Sequence, residues 1–166
     1  MPCDELNLPM ALSNFERMIQ LADDVFAVRD DPDQLDVNED VLDRLRELHP
    51  STVSEFADPN GPVAWVLLIP TTSDLMERFL KKEITEKQLF EMTMPGSNYE
   101  AIYLCSAMVL EEYRRKGIAR RLTIDAIGKI RDDHPIKALF VWTFSEEGAQ
   151  SAESIARLAE LPLFKR

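Results

Sequence analysis

The sequence "AMVLEEYRRKGIARRLTIDAI", Ala107 to Ile127, joins an apolar run to an amphipathic stretch through Gly117. Five of the 19 lysine and arginine residues fall between positions 114 and 121, although the formal net charge is -11. A helix N-terminus presents unpaired N–H groups and a partial positive charge, and glycine lets a bound group approach the backbone. The stretch therefore predicts an anion site suited to a pyrophosphate. The alternative is a solvated basic helix start beside Glu111 and Glu112.

The residues on either side of Gly117 predict a strand–helix–strand crossover. Residues 101–110 carry no charge, which is typical of a strand covered on both faces. Apolar residues from Ile118 to Ile130 recur at helical spacing. Residues 138–144, "ALFVWTF", predict a second buried strand. We expect this crossover to form the centre of the fold.

The remaining elements are predicted from periodicity and turn chemistry. Helical spacing marks four further segments, at residues 13–28, 41–48, 71–93 and about 150–161. The turn "DPNG" separates two strand-favouring runs, 52–57 and 62–70, which predicts a β-hairpin. We expect one domain over residues 1–166, with a helical N-terminal part (1–50) and a sheet core (51–166).

Composition excludes several classes of protein. The negative net charge argues against a nucleic-acid partner, and no apolar run is long enough to span a membrane. Cys3 and Cys105 form no disulfide framework, and the N-terminus lacks signal-peptide features, so we expect a reducing, cytoplasmic location. Neither GxxxxGK[ST] nor GxGxxG occurs. His49 and His134 have no metal-ligand spacing around them, so no metal site is predicted.

The stretch "MVLEEYRRKGIARRL" resembles motif A of the GNAT acyltransferase superfamily. The matching residues, in family order, are Val109, Tyr113, Arg114, Gly117, Ile118 and Ala119. Glu111 stands where the family commonly has a proline. The resemblance covers roughly residues 51–164, whereas the first 50 residues match only loosely. It implies an α/β (α+β) fold with a mixed central sheet of about four to six strands flanked by helices. Residues 71–93 would be a helical insertion before the family's fourth strand.

The resemblance implies that the anion is the pyrophosphate of acetyl-CoA or a related acyl-CoA, acting as the donor substrate. Backbone amides of about residues 115–120 would hold the pyrophosphate. The end of the fourth family strand would bind the pantetheine arm and polarise the thioester carbonyl. The expected donor-binding residues are Met108, Val109, Leu110, Arg114, Arg115, Lys116, Gly117, Ile118, Ala119, Arg120, Ser145 and Ser151. For Ser145 and Ser151, loop capping is the alternative.

The resemblance implies a primary amine as acceptor, on a small molecule or a peptide. Glu100 could relay its proton through water, or could be an exposed charge at a strand start. Tyr103 could face the acceptor, or be a core aromatic. Asp30, Asp31 and Asp33 belong to an acidic loop that would frame a cationic acceptor; a solvated loop is the alternative.

Two departures from the family pattern bear on activity. Ala159 stands where many family members have a tyrosine that protonates the leaving thiolate, and the final family strands are missing or reduced to "LPLFKR". The first hypothesis is an acetyl-CoA-dependent N-acetyltransferase. The alternative is a catalytically degenerate acyl-CoA-binding sensor or interaction module. The acceptor, the acyl chain length and the oligomeric state, a homodimer included, stay open.

Overall fold

A computed structural model describes residues 12–29 and 33–166 of the chain. Its strands are β1 (Val53–Asp58), β2 (Gly61–Thr71), β3 (Ala101–Val109), β4 (Ala138–Val141) and β5 (Leu163–Lys165). Its helices are α1 (Asn14–Arg29), α2 (Glu39–Leu48), α3 (Ser73–Leu80), α4 (Glu86–Met92), α5 (Ile118–Asp133) and α6 (Glu146–Ala159). The five strands form one mixed sheet in the order β1-β2-β3-β4-β5. The predicted α/β class with a mixed sheet of four to six strands is confirmed.

The predicted hairpin forms between β1 and β2, which pair antiparallel. Asp58 and Gly61 face each other across the two-residue connection, and the N–H of Asn60 donates to the Asp58 carboxylate (2.7 Å). Gly61 has a φ of 120°, a conformation that L-residues with a side chain rarely adopt. The turn chemistry of "DPNG" therefore fixes the hairpin register.

The predicted crossover also forms, because β3 and β4 pair parallel with α5 between them in sequence. Their pairing covers only three residues of β3, Ala101 to Tyr103. On its other edge β3 pairs with β2 as far as Val109. Because β4 ends at Val141, the second half of β3 has no partner strand on the β4 side among the described residues, which leaves a gap in the sheet. A β-bulge, with Cys105 as the extra residue on β3, lies in the same half of the strand.

Three predicted elements differ from those in the structure. Residues 71–93 form two short helices, separated by a turn in which Lys82 has a positive φ of 63°. The strand predicted at 138–144 ends at Val141, and Phe144 is largely exposed. The last helix begins at Glu146, capped by Ser145, rather than near Gln150.

The core has two parts. The main cluster joins residues of every strand to the inner faces of α2 to α6, with Phe79, Tyr103 and Phe140 in mutual ring contact at its centre. A smaller cluster, made of Met18, Val63, Met108 and Leu110, fixes α1 beside the end of β3. In the described part of the chain, no helix is both long enough and apolar enough to cross a membrane.

Candidate functional site

The segment between β3 and α5 turns sharply at Arg115 and Gly117, both of which have left-handed backbone conformations (φ 64° and 73°). Gly117 is the residue immediately before α5 and contributes no capping side chain. A left-handed conformation is favourable for glycine and costs free energy for arginine. The segment is thus strained at Arg115, and the surrounding structure must hold it in place.

The N–H groups of residues 115 to 120 have no acceptor among the described residues. The next N–H along the chain, that of Arg121, donates to the carbonyl of Gly117 (3.0 Å) and closes the first turn of α5. Six successive donors therefore lie at the positive end of a 16-residue helix. We call residues 115–120 the amide loop. Its donors and the helix dipole both favour an anion, as the sequence predicted.

The side chains of the amide loop and its neighbours add positive charge. Five cations, Arg114, Arg115, Lys116, Arg120 and Arg121, form no salt bridge with any carboxylate in the described part of the chain. The Arg114 Nε donates to the carbonyl of Val109 (3.0 Å), and the Lys116 ammonium lies over the Tyr113 ring (5.3 Å). The local charge is therefore unbalanced and positive in an acidic protein.

The end of β3 offers one further backbone donor toward the gap in the sheet. The N–H of Leu110 donates to the carbonyl of Val63 on β2 (2.9 Å). Because backbone N–H groups alternate in direction along an extended strand, the N–H of Met108 also points toward β2, and that of Val109 points away from it. Of the three residues predicted at this strand end, only Val109 presents its N–H on the open side.

A cleft of about 380 Å³ lies between the end of β3, the amide loop and α6. The predicted donor-binding residues that line it are Val109, Arg114, Arg115, Gly117, Ile118, Ala119, Arg120 and Ser151. Tyr113 and Ser154 also line it and were missed as site residues by the sequence prediction. Tyr113 belongs to the motif itself, and Ser154 follows Ser151 by three residues on the same face of a helix, so both carried a signal.

Four predicted donor-binding residues lie outside the lining. The side chains of Met108 and Leu110 are buried in the small cluster against α1, and Lys116 covers the outer face of Tyr113. Ser145 accepts the N–H of Gly148 (3.0 Å) and caps α6, so the capping alternative is confirmed for this residue.

Tyr113 connects the cleft to the hairpin and to α1. Its hydroxyl donates to the Asp58 carboxylate in a short hydrogen bond, and Asn14 on α1 donates to the same carboxylate (2.9 Å). The bond from Tyr113 holds the pKa of Asp58 below its usual value, and it raises the pKa of the tyrosine. Next to it, Arg17 on α1 forms a salt bridge with Glu112 (2.6 Å), and the bond from Arg17 lowers the pKa of Glu112 to about 2.

The two candidate catalytic residues lie elsewhere. Tyr103 is 0% exposed and donates its hydroxyl to the buried carboxylate of Glu86, so the structure supports its alternative role as a core aromatic and gives it no access to a substrate. Glu100 forms a salt bridge with Lys137 (2.7 Å), and the hydrogen bond and charge of Lys137 lower its pKa. Glu100 precedes Val109 by nine residues of extended strand, which is about 30 Å. Glu100 is thus far from the cleft.

The acidic loop is described only from Asp33 onward, so Asp30 and Asp31 lie outside the described residues. The carbonyl of Asp33 accepts the N–H of Lys87 on α4 (3.4 Å), and Asp33 does not line the cleft. Glu39 and Asp40 stand in the first turn of α2, where negative charge stabilises a helix. Among the described residues, no group of three or more His, Cys, Asp or Glu side chains could hold a metal ion.

Comparisons with known proteins find similarity in structure but not in sequence. No protein-family model matches the chain, and no curated protein matches it in sequence. The fold is similar to that of Naa20 from Chaetomium thermophilum, a structure determined in complex with a bisubstrate analogue. The TM-score is 0.47 and the sequence identity 20%, over 75% of this chain and 60% of that one. The chain therefore spans less than two thirds of the length of Naa20.

Proposed function

We propose that this protein is an acyl-CoA-dependent N-acyltransferase of the GNAT type, which transfers an acetyl group from acetyl-CoA to a primary amine. The observation that carries the proposal is the amide loop: within residues 12–29 and 33–166, its six successive N–H groups have no acceptor and the five neighbouring cations have no carboxylate partner. The free N–H groups and the helix dipole attract an anion, and cations gathered in one place favour a ligand of opposite charge. A pyrophosphate supplies both the oxygen acceptors and the negative charge.

The gap between β3 and β4 supports an extended donor rather than a free phosphate. The cleft continues from the amide loop to Val109, whose N–H faces the open side of β3 and whose carbonyl accepts the Arg114 Nε. An arm attached to the pyrophosphate would run along this strand edge and could pair with its backbone. The thioester would then lie beside β3, and the N–H of Val109 is the candidate donor to its carbonyl oxygen.

The transfer itself needs a deprotonated amine and a protonated leaving group. The amine nitrogen bonds to the acyl carbon, the carbon–sulfur bond breaks, the amine gives up a proton, and the thiolate takes one up. Ala159 stands at the place of the family's usual tyrosine acid, so that position supplies no proton. We propose that water, ordered by the hydroxyls of Ser151 and Ser154 in the cleft, carries the proton to the thiolate.

Binding of the donor can be tested without knowing the acceptor. Isothermal titration calorimetry should detect binding of CoA at 50 mM salt, and much weaker binding of pantetheine, which lacks the phosphates. Arg120→Ala should raise the Kd for CoA by about ten-fold, the size of one charge-assisted contact. Lys129→Ala is the matched control, because Lys129 is an exposed cation at the other end of α5. Equal affinity for CoA and pantetheine would contradict the proposal.

The absence of the tyrosine favours a second candidate, a module that binds acyl-CoA without turnover. Thiol release from acetyl-CoA, measured across a panel of amines, separates the two candidates. Tight binding of acetyl-CoA with no amine-dependent thiol release would support the binding module. Amine-dependent release of CoA would exclude it.

A further inference from the structure

Asp58 lies in the hairpin turn, 55 residues before Tyr113, and its two carboxylate oxygens have separate partners. Oδ1 accepts the side-chain amide of Asn14 (2.9 Å) and the N–H of Asn60 (2.7 Å). Oδ2 accepts the hydroxyl of Tyr113. The first two bonds hold the turn and α1 together, whereas the third reaches the segment that leads into the amide loop.

Tyr113 precedes the strained Arg115 by two residues. It ends the 3₁₀ turn Glu111–Tyr113, its ring packs against the small cluster formed by α1 and β3, and the ammonium of Lys116 lies over it. It also lines the cleft. The Tyr113 ring therefore contacts both the small cluster and a side chain of the amide loop.

The amide loop needs such support from outside. Arg115 has a left-handed backbone that is unfavourable for a side chain, and the N–H groups of residues 115–120 make no hydrogen bond within the described chain that would hold them in place. An anion-binding loop binds more tightly when its donors are already arranged before the ligand arrives, because less ordering entropy is lost on binding.

We infer that Asp58 is a positioning residue for the donor site: its bond to the Tyr113 hydroxyl holds the amide loop in the conformation that binds the pyrophosphate. This inference rests on the proposed function, because the ligand is taken to be CoA. Asp58 itself does not line the cleft, so its influence passes through Tyr113.

A double-mutant cycle tests this path. Tyr113→Phe removes the hydroxyl and keeps the ring in the cleft and beneath Lys116, and Asp58→Asn removes the carboxylate. Each change should raise the Kd for CoA in calorimetry by about five- to ten-fold, in the range of coupling energies between contacting residues. The double variant should bind CoA no more weakly than either single variant. Glu55→Gln, on the same hairpin but bonded to Trp65, is the control and should bind like the wild type.

The outcomes separate a positioning role from a merely structural one. If Asp58 only holds the turn, Asp58→Asn will lower the melting temperature, Tyr113→Phe will leave CoA affinity unchanged, and the inference is wrong. Additive losses of CoA affinity in the double variant would also overturn it, because Asp58 would then act by another path. If the wild type does not bind CoA, the proposed function fails and this inference fails with it. If the wild type binds CoA and the single variants bind equally well, only the inference fails.

Discussion

Arg17 and Glu112, 95 residues apart in sequence, form a salt bridge of 2.6 Å that joins α1 to the segment before the amide loop. Both side chains are partly exposed, so we expect the bond to add little to global stability. Its place in the structure matters more, because it is a second connection, beside that of Asp58 and Tyr113, between α1 and the donor site.

The Arg17–Glu112 bond predicts a pH dependence. The pKa of Glu112 is lowered from 4.5 to about 2, so the bond stabilises the folded state above pH 4.5 and this contribution is lost as the pH falls toward 2. In Arg17→Gln, an NMR titration should place the pKa of Glu112 close to 4.5. The urea midpoint of the variant should also fall less between pH 6 and pH 3.5 than that of the wild type. An unchanged Glu112 titration would show that Arg17 is not its partner in solution.

Gly117 provides a test of the amide loop. A β-carbon at this position would meet the Arg120 guanidinium at 3.5 Å, an ordinary contact, so the cost of a side chain comes from the positive φ of 73°. The left-handed conformation costs an L-residue about 1–2 kcal/mol, and a β-branched residue more. Gly117→Val should therefore weaken CoA binding at least about ten-fold in calorimetry.

The control for the Gly117 variant is a second glycine, Gly128, which lies inside α5. A β-carbon at Gly128 meets no atom within 4 Å, and its backbone is helical. Gly128→Ala should leave CoA binding unchanged and stabilise the protein by up to about 1 kcal/mol, the difference in helix propensity. Unchanged CoA affinity in Gly117→Val would mean that the loop tolerates another conformation, and would count against the site.

Sequence patterns predicted which helices and strands form the site better than they predicted where those elements begin and end. The motif from Val109 to Ala119 has local signals, a buried strand followed by a glycine and an amphipathic helix, and it folds as expected. The sequence prediction placed the start of α6 near Gln150 instead of at Glu146. Ser145 followed by two glutamates is a signal for a helix N-terminus, but Gly148 weakens the helical pattern there. The end of β4 at Val141 was missed because the apolar run continues to Phe144, whereas a strand ends where its pairing with the neighbouring strand stops.

The residues that support the site could not be predicted from periodicity. Asp58 belongs to a turn signal, and nothing in that signal indicates that its carboxylate also accepts a hydroxyl 55 residues away. From the sequence, Tyr103 could be either an aromatic residue of the acceptor site or a core residue. Only the packing of Phe79 and Phe140 around it decides between these two roles. Such contacts follow from how the helices cross the sheet, which the sequence pattern alone does not determine.

We expect a large loss of stability when the buried Glu86 is replaced. It is 0% exposed, and its carboxylate accepts both the N–H of Leu35 (2.7 Å) and the hydroxyl of Tyr103. Glu86→Ala would remove the carboxylate that accepts these two buried donors, and each lost buried bond costs about 1–3 kcal/mol. We expect a loss of roughly 3 kcal/mol in the free energy of unfolding by urea. Glu91→Ala, exposed on the same helix, should change it by no more than about 0.5 kcal/mol. Similar values for both variants would contradict the buried bonds.

The acidic loop predicts the charge of the acceptor. Five cations gather at the amide loop, whereas four acids, Asp30, Asp31, Asp33 and Asp36, lie in sequence between α1 and α2, and two more, Glu39 and Asp40, begin α2. If the protein is an N-acyltransferase, we expect these acids to favour a cationic acceptor. Opposite charge concentrates a substrate near its site, and salt weakens the effect. Replacing Asp30, Asp31 and Asp33 together by asparagine should raise the KM for spermidine by about ten-fold at low salt. The KM for acetyl-CoA should stay nearly unchanged.

The remaining acids of this group provide the control for the acceptor prediction. Glu39 and Asp40 stabilise the first turn of α2, so Glu39→Gln with Asp40→Asn should lower stability slightly and leave the KM for spermidine close to that of the wild type. The difference between the two sets of variants should shrink as salt is raised from 20 to about 300 mM, because the Debye length shortens. Equal changes in the KM for both substrates, or no dependence on salt, would show that the loop is a solvated surface rather than part of the acceptor site.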